Sequence, residues 1–350
     1  MCKPNSRHRC STIEWMPATE ETLRRLAEIP NVQVSAGALL AGHTRFGIGG
    51  PAGVFAQTPR EESFLEALGV ARSSGLDYAL IGSGTNLIVS DQGFRGIVLR
   101  FTGDRISGEG ERILVEAGAE LQSLVDFAIG RGRKGLETLA GIPGWVGGAI
   151  YGNAGAYGHS ISEVVRRVRF ADGERVRTFE NRECEFHYRE SIFKRHKEWI
   201  IFSAELALET ADAGELRRTT EEILAVRNRK FPPTMKCAGS IFKNLLFEEL
   251  PPPVARMVPG EVIREGKVPA AYFLEQAGAK GVTRGDIRVA DYHANLIYNA
   301  GAGRAQDLVE LIAELKARVR QRFGLELEEE VQYLGFEKSE VSSQESGGSA

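Results

Sequence analysis

Apolar residues recur at helical spacing in four stretches of the chain. Phe64, Leu65, Leu68 and Ala71 predict one face of a short helix after Pro59, and Leu121, Leu124, Val125 and Ala128 predict a second. Leu216, Ile223, Leu224 and Val226 stripe a third over Glu215–Lys230. The most regular is the fourth, Ala305–Phe323, with Leu308, Leu311, Ile312, Leu315 and Val319 on one side. Between them lie strand patterns: a buried run at Tyr78–Ile81, then Gly96–Phe101, Ile113–Ala117 and Trp199–Leu208. Val165 to Phe179 reads as a β-hairpin with Asp172-Gly173 as its tight turn. Strands and helices mix without regular βαβ spacing and without an internal repeat, so the predicted class is α+β. Residues 1–12 and 337–350, the latter ending in SSQESGGSA, read as disordered tails.

Composition narrows the function. A chain of 350 residues fits two or three packed units. With 42% hydrophobic and 26% charged residues, it needs neither disulfide nor metal to hold a core. A net charge of −3 argues against nucleic acid as a partner, while a local basic pocket for an anionic substrate remains compatible. Cys2, Cys10, Cys184 and Cys237 show no C-x-x-C pairing, and His43, His159 and His293 are too scattered for a metal site. MCKPNSRHRC opens the chain without the apolar run of a secretory signal, and no stretch has the roughly 20 apolar residues of a membrane helix. The expectation is a cytoplasmic protein with no membrane partner.

Forty glycines exceed the usual share of roughly 7%, and they cluster. One cluster is Thr44–Ala52, TRFGIGGPA. A second, Gly82-Ser83-Gly84-Thr85-Asn86, follows an apolar strand. The third, Gly135–Gly158, holds eight glycines in 24 residues. Without a Cβ, backbone N–H groups can close around a phosphate, and Asn86, Asn153 and the Ser83 and Thr85 hydroxyls are candidate neutral donors. The competing reading of each cluster is tight turns and close strand packing. A strict G-x-G-x-x-G at Gly130, Gly132 and Gly135 follows a helix instead of opening one, so it is no Rossmann fingerprint. What remains is a non-Rossmann dinucleotide site.

Three short segments carry candidate chemistry. In YRESIFK, Arg189 is suited to clamp a carboxylate with its bidentate fork, although a surface salt bridge with Glu190 competes. In Cys237-Ala238-Gly239-Ser240, small residues open space before a serine at a turn; no G-x-S-x-G frame supports acyl transfer, and no histidine near Cys237 in sequence supports a thiol nucleophile. In Leu327–Val331, strand alternation puts Glu328 and Glu330 on one face and Glu329 on the other, with a solvated charged edge as the plainer reading.

Together, TRFGIGGPA, GSGTNLIVSD, GLETLAGIPGWVGGAIYGNAGAYG, YRESIFK, AGSIFKN and LEEEV make the chain resemble the UDP-N-acetylenolpyruvoylglucosamine reductase family from about Asn31 to Gly335. HANLIYN, with no longer tyrosine-bearing loop before it, is similar to the shorter of the family's two subtypes. The resemblance implies a two-subdomain FAD-binding fold of the vanillyl-alcohol-oxidase (PCMH) type, over 13–101 and 102–212, and a C-terminal α+β substrate-binding domain over 213–336. It implies noncovalent FAD contacts from Gly82, Ser83, Gly84, Thr85 and Asn86, and from Gly141, Ile142, Pro143, Gly144, Gly147, Gly148, Asn153, Gly155 and Ala156. Arg189, Ser240 and Glu330 fall on its catalytic arginine, proton-donating serine and active-site glutamate. Tyr188, Lys230, Asn244 and His293 fall on substrate-side positions. The implied reaction uses NADPH as co-substrate to reduce the enolpyruvyl group of a UDP-sugar in peptidoglycan precursor synthesis: hydride from flavin N5, the enolate stabilised by Arg189 and Glu330, a proton from Ser240. A monomer is expected. The chain departs from the pattern in Leu245-Leu246, where proline is usual, and in Pro251–Val268, which resembles an added loop. Two alternatives stand beside this reading: another FAD-dependent oxidoreductase of the same flavin fold, and a non-catalytic nucleotide-sugar binding protein.

Overall fold

The computed structural model describes residues 17–336. Both expected tails, as well as Cys2 and Cys10, lie outside the described residues, except that the N-terminal expectation ended at residue 12. Three main sheets follow one another along the chain. In the first, Gln33–Ala36 pairs antiparallel with Ala52–Thr58, which runs parallel to Phe94–Phe101, itself parallel to Tyr78–Leu80. The second is antiparallel, in the order Val176–Glu180, Val165–Ala171, Ile200–Ala207, Arg112–Glu116 and Ile106–Glu109. The third is also antiparallel: Lys236–Ser240, His293–Asn299, Ile287–Ala290 and Thr283–Arg284. Helices and sheets thus segregate as an α+β chain.

One apolar core joins the first two sheets, where Phe64, Phe101 and Phe202 meet edge to face at centroid separations of 5.1–6.1 Å. A second core packs helices Ala270–Gln276 and Ala305–Phe323 on the third sheet through Phe273, Leu308, Leu311, Ile312, Leu315 and Val319. The five residues of the expected stripe on Ala305–Phe323 are all buried there. This second core also takes in Phe46, Ile48 and Ile88 from the N-terminal part. The last strand, Gln332–Leu334, returns to lie parallel beside Leu87–Val89. That return carries the segment before it, Glu328–Glu330, back to the second glycine cluster.

Three local expectations need correction. The Val165–Phe179 hairpin pairs Ala171 with Val176, and Asp172 N–H donates to the Arg175 carbonyl at 3.1 Å, so the two residues at its tip are Gly173-Glu174, one position beyond the expected Asp172-Gly173. Asp172 Oδ1 accepts the amides of Glu174 and Arg175, local bonds that organise that turn. On the helix Ala213–Lys230, Leu216 and Thr220 are buried, but Val226 is 49% exposed. The inward stripe runs through 216, 220, 223, 224 and 227, so the position that faces the protein belongs to Arg227. Tyr78–Leu80 is half-buried, with only the following Ile81 fully inside.

Candidate active site

The three glycine clusters, separate in sequence, touch one another. Arg45 donates its backbone N–H to the Gly84 carbonyl at 3.2 Å. Gly84 has φ +69°, and a Cβ there would sit 1.9 Å from the His43 carbonyl oxygen. A Cβ on Gly144, φ +121°, would come within 2.7 Å of Thr85 Oγ1, and one on Gly147 within 2.9 Å of the Ala117 Cβ. At these three, the protein's own close packing requires glycine. Gly82 and Gly148 differ: a Cβ on either would meet nothing within 4 Å. Among the described residues, the amides of Ser83, Gly84 and Thr85 make no backbone hydrogen bond. Open glycines beside unspent amides are the features a pyrophosphate-bearing cofactor such as FAD requires, so this cradle fits that group.

Side-chain amides in these clusters do different work from that expected of neutral phosphate donors. Asn86 Nδ2 donates to the Glu330 carbonyl at 2.8 Å, while Gln332 N–H donates to the Asn86 carbonyl at 3.0 Å. Asn153, buried at φ +41°, donates to the His187 carbonyl at 2.8 Å and accepts from the Ser162 amide. Both tie neighbouring segments to the cradle. Gly141 donates its amide to Gln122 Oε1 at 2.7 Å, placing the Ile142-Pro143 turn. The Gly155-Ala156 strand pairs with His159-Ser160.

Arg189 stands on a tight turn closed by reciprocal His187–Glu190 backbone hydrogen bonds of 3.0 and 3.2 Å. Its φ is +59°, a left-handed conformation that costs a non-glycine residue about 1–2 kcal/mol. The turn aims its guanidinium away from the adjacent Glu190. Arg189 Nε donates to Glu330 Oε2 at 3.2 Å and one terminal nitrogen to the Gly155 carbonyl at 2.9 Å. The surface pair with Glu190 is therefore not formed. Glu190 instead accepts from Lys194 and Lys243, each at 2.7 Å.

Ser240 closes its strand opposite Leu296, following Gly239 at φ +83°. Buried Asn295 fixes the next two residues: its Oδ1 accepts the amides of Ile241 and Phe242, and its Nδ2 donates to the Phe242 carbonyl. From there the chain runs antiparallel beside Glu328–Glu330, with Glu330 N–H to the Ile241 carbonyl at 2.8 Å and Lys243 N–H to the Glu328 carbonyl at 2.9 Å. The three carboxylates alternate. Glu328 reaches Lys243 and Glu330 reaches Arg189, while Glu329 turns inward to Lys316 and Tyr333. A solvated edge does not describe this run, because Glu329 and Glu330 are shielded. Burial pushes the Glu330 carboxyl above its usual range, although the Arg189 charge and hydrogen bond oppose the shift.

Substrate-side candidates surround this pair. The Tyr188 hydroxyl accepts the Asn244 amide at 3.3 Å, with the Arg189 and Lys267 cations 5.3 and 4.8 Å from its ring centre. Asn244 Oδ1 accepts from the Ala270 amide. Burial, then Arg227 and Arg264, push Lys230 below its ordinary value. His293 is pushed down to about 4 by burial and then by Lys230. It is neutral at pH 7; its Nδ1 accepts the Asn295 amide, which leaves the proton on Nε2.

Arg45 and Arg227 escaped sequence reasoning. Both have a buried Nε without a hydrogen-bond partner, and the charges of Arg189 and Arg45 both act on Arg227. The available signal was an arginine on the inward stripe of the 213–230 helix. Cys237 is buried among Ala290, Leu296, Phe231, Met235 and Tyr298, which gives no support to a nucleophile.

Comparison with known proteins places this geometry. A family model described as UDP-N-acetylenolpyruvoylglucosamine reductase, C-terminal domain, matches residues 231–334, and one described as FAD binding domain matches 52–178. A UDP-N-acetylenolpyruvoylglucosamine reductase of Solibacter usitatus is 68% identical over 311 residues, covering 89% of this chain and 100% of the relative. That of Bacillus subtilis is 32% identical over 320 residues, covering 90% and 99%. The crystal structure of the Thermus caldophilus reductase superposes with a TM-score of 0.67 at 30% identity, covering 87% of this chain and 99% of that one. The chain belongs to the UDP-N-acetylenolpyruvoylglucosamine reductase family.

Proposed function

We infer that this chain is the FAD-dependent reductase that converts UDP-N-acetylglucosamine enolpyruvate to UDP-N-acetylmuramate with NADPH, in peptidoglycan precursor synthesis. The observation that carries the reading is the Arg189–Glu330 hydrogen bond, formed beside the strand that presents Ser240 and against the glycine cradle. Residues 82–86 and 141–156 would hold the cofactor noncovalently, within subdomains over 13–101 and 102–212. The 213–336 region would hold the sugar, with Tyr188, Lys230, Asn244 and His293 on the substrate side.

When bound, the flavin supplies the hydride, taken in turn from NADPH. The chain's residues manage the charge that results. Reduction at the terminal carbon of the enolpyruvyl group drives electron density onto the adjacent carboxylate. Arg189 is placed to receive that charge with its fork, and preorganised donors of this kind are worth about 3–4 kcal/mol each. Glu330, raised by burial, can meet the same oxygens as a protonated donor instead of repelling them. Ser240 then gives its hydroxyl proton to the α-carbon and is reprotonated from solvent. The Nε groups of Arg45 and Arg227, which have no hydrogen-bond partner, suit an anionic substrate.

Among the described residues, no helix is long and apolar enough to cross a membrane. A cytoplasmic monomer is supported by the precursor substrate and by the origin of all three chemistry-bearing segments in one chain. Anaerobic stopped-flow spectroscopy tests the function: NADPH should bleach the flavin band, and the enolpyruvyl sugar should restore it. Bleached flavin that the sugar never reoxidises overturns the reading in favour of a non-catalytic binder. Acid precipitation should leave the yellow colour in solution; colour retained on the protein favours a covalent-flavin oxidase of the same fold.

A further inference from the structure

Lys243 lies three residues after Ser240, yet its side chain is 9% exposed and bonds to both other chemistry-bearing segments. Its ammonium donates to Glu190, the neighbour of Arg189, at 2.7 Å, and to Glu328, two residues before Glu330. Glu190 also accepts from Lys194, whose ammonium in addition holds the Arg189 carbonyl at 3.0 Å, on the backbone that carries the left-handed φ. Resting on the functional reading above, we propose that Lys243 is a positioning residue, its ammonium tying together the three segments that present Arg189, Ser240 and Glu330 and setting their spacing for reduction of the enolpyruvyl sugar.

The arrangement suits that task. The Ser240 and Glu330 segments already pair backbone to backbone, whereas the Arg189 turn comes from a separate loop, and the ammonium adds a bond from that turn to the pair. One ammonium with three donors can bond two segments besides its own. Lys243 is buried, and hydrogen bonds to Glu190 and Glu328 outweigh the burial that would discharge it. Glu190 shows the reciprocal balance: burial raises it, but Lys194 and Lys243 hold it below the ordinary range. Glu330 is faced by Arg189, Lys194, Lys243 and the Tyr188 phenol, the cations lowering its carboxyl and thereby opposing burial.

The test uses the FAD-loaded full chain and separates the two half-reactions. Lys243→Met should leave flavin reduction by NADPH near the wild-type rate while slowing reoxidation by the enolpyruvyl sugar about 100-fold, the loss typical of a reacting group misplaced by about 1 Å. Its reoxidation profile should have the alkaline limb moved to higher pH, because one cation facing Glu330 is gone and the protonated carboxyl persists further. Lys243→Arg, which keeps charge and donors, should recover most of the rate. If Lys243→Met does not hold FAD, Glu190→Gln takes its place and should show the same split. Reoxidation at the wild-type rate in either soluble variant, or equal slowing of both half-reactions, overturns the positioning role. Wild-type protein that the sugar fails to reoxidise overturns the underlying function instead, so the two failures are distinguishable.

Discussion

Ser240→Ala isolates one atom of the proposed chemistry. Among the described residues the Ser240 hydroxyl has no assigned hydrogen-bond partner, and its strand is held by backbone bonds and by the Asn295 amide that clamps the residues after it. Deleting the hydroxyl removes no internal bond, so unfolding stability should change by less than about 0.5 kcal/mol. Losing a general acid costs about 10²- to 10⁴-fold. At about 1.36 kcal/mol per tenfold, this is roughly 3–5 kcal/mol on the barrier for substrate reduction and none on the step with NADPH. Anaerobic stopped-flow absorbance in the flavin band reads both steps on one sample: mix with NADPH first, then with the enolpyruvyl sugar. The expected record is normal bleaching followed by recovery slowed at least a hundredfold, with thermal melting unchanged. Equal loss in both steps, or recovery within threefold of wild type, refutes a proton-donating role.

Gly84→Ala places a Cβ 1.9 Å from the His43 carbonyl at a φ of +69°, and should lower stability by about 2 kcal/mol or more and deplete bound FAD, as read by melting and the flavin absorbance ratio. Lys316→Met strips the partner from Glu329, whose side chain is 4% exposed, and should destabilise by about 3–5 kcal/mol in denaturant titration. Adding Glu329→Gln, which can still accept from Tyr333, should restore most of that loss. Glu330 has its carboxyl raised by folding, so its contribution to stability is present below the unfolded value and lost as pH rises through the folded one. The melting temperature of Glu330→Gln should therefore gain on wild type between pH 4 and pH 8; a constant difference across that range contradicts the shift.

The sequence made some of this legible and hid the rest for physical reasons. Helix Ala305–Phe323 was readable because one buried face repeats every three to four residues. The Leu327–Val331 alternation was likewise sufficient to separate Glu329 from its neighbours, but not to say that Glu329 is enclosed while Glu328 stays exposed; that depends on helix Ala305–Phe323 supplying Lys316. Arg189 shows the opposite limit. Adjacency in sequence favours Glu190, whereas a left-handed backbone turns the guanidinium to a carboxylate 141 positions away. Local propensity contains no term for such a partner. Arg227 was missed because an arginine on an apolar stripe looks like a flaw in the pattern, and Val226 beside it made the stripe seem complete. The meeting of Glu330 with the second glycine cluster depends on the return of Gln332–Leu334 to Leu87–Val89, a pairing that only the folded chain displays.

These features share one electrostatic logic. Arg45, Arg189, Arg227 and Lys230 gather near the glycine cradle, with Glu330 the one carboxylate bonded to any of them in the site. Burial lowers Arg227 and Lys230; the Tyr157 phenol opposes the shift at Arg227, and among the described residues neither cation is paired with a carboxylate. By contrast, Lys194 and Lys243 lie close by and are fully matched by Glu190 and Glu328. The matched cations hold the framework, with two of each ammonium's three donors taken and the charge already neutralised. The unmatched ones retain donors and attraction for an incoming anion. Division of the cations by their carboxylate partners thus separates Lys194 and Lys243, which hold the framework, from Arg45, Arg227 and Lys230, left free to bind, with Arg189 between the two groups because Glu330 takes only part of its fork.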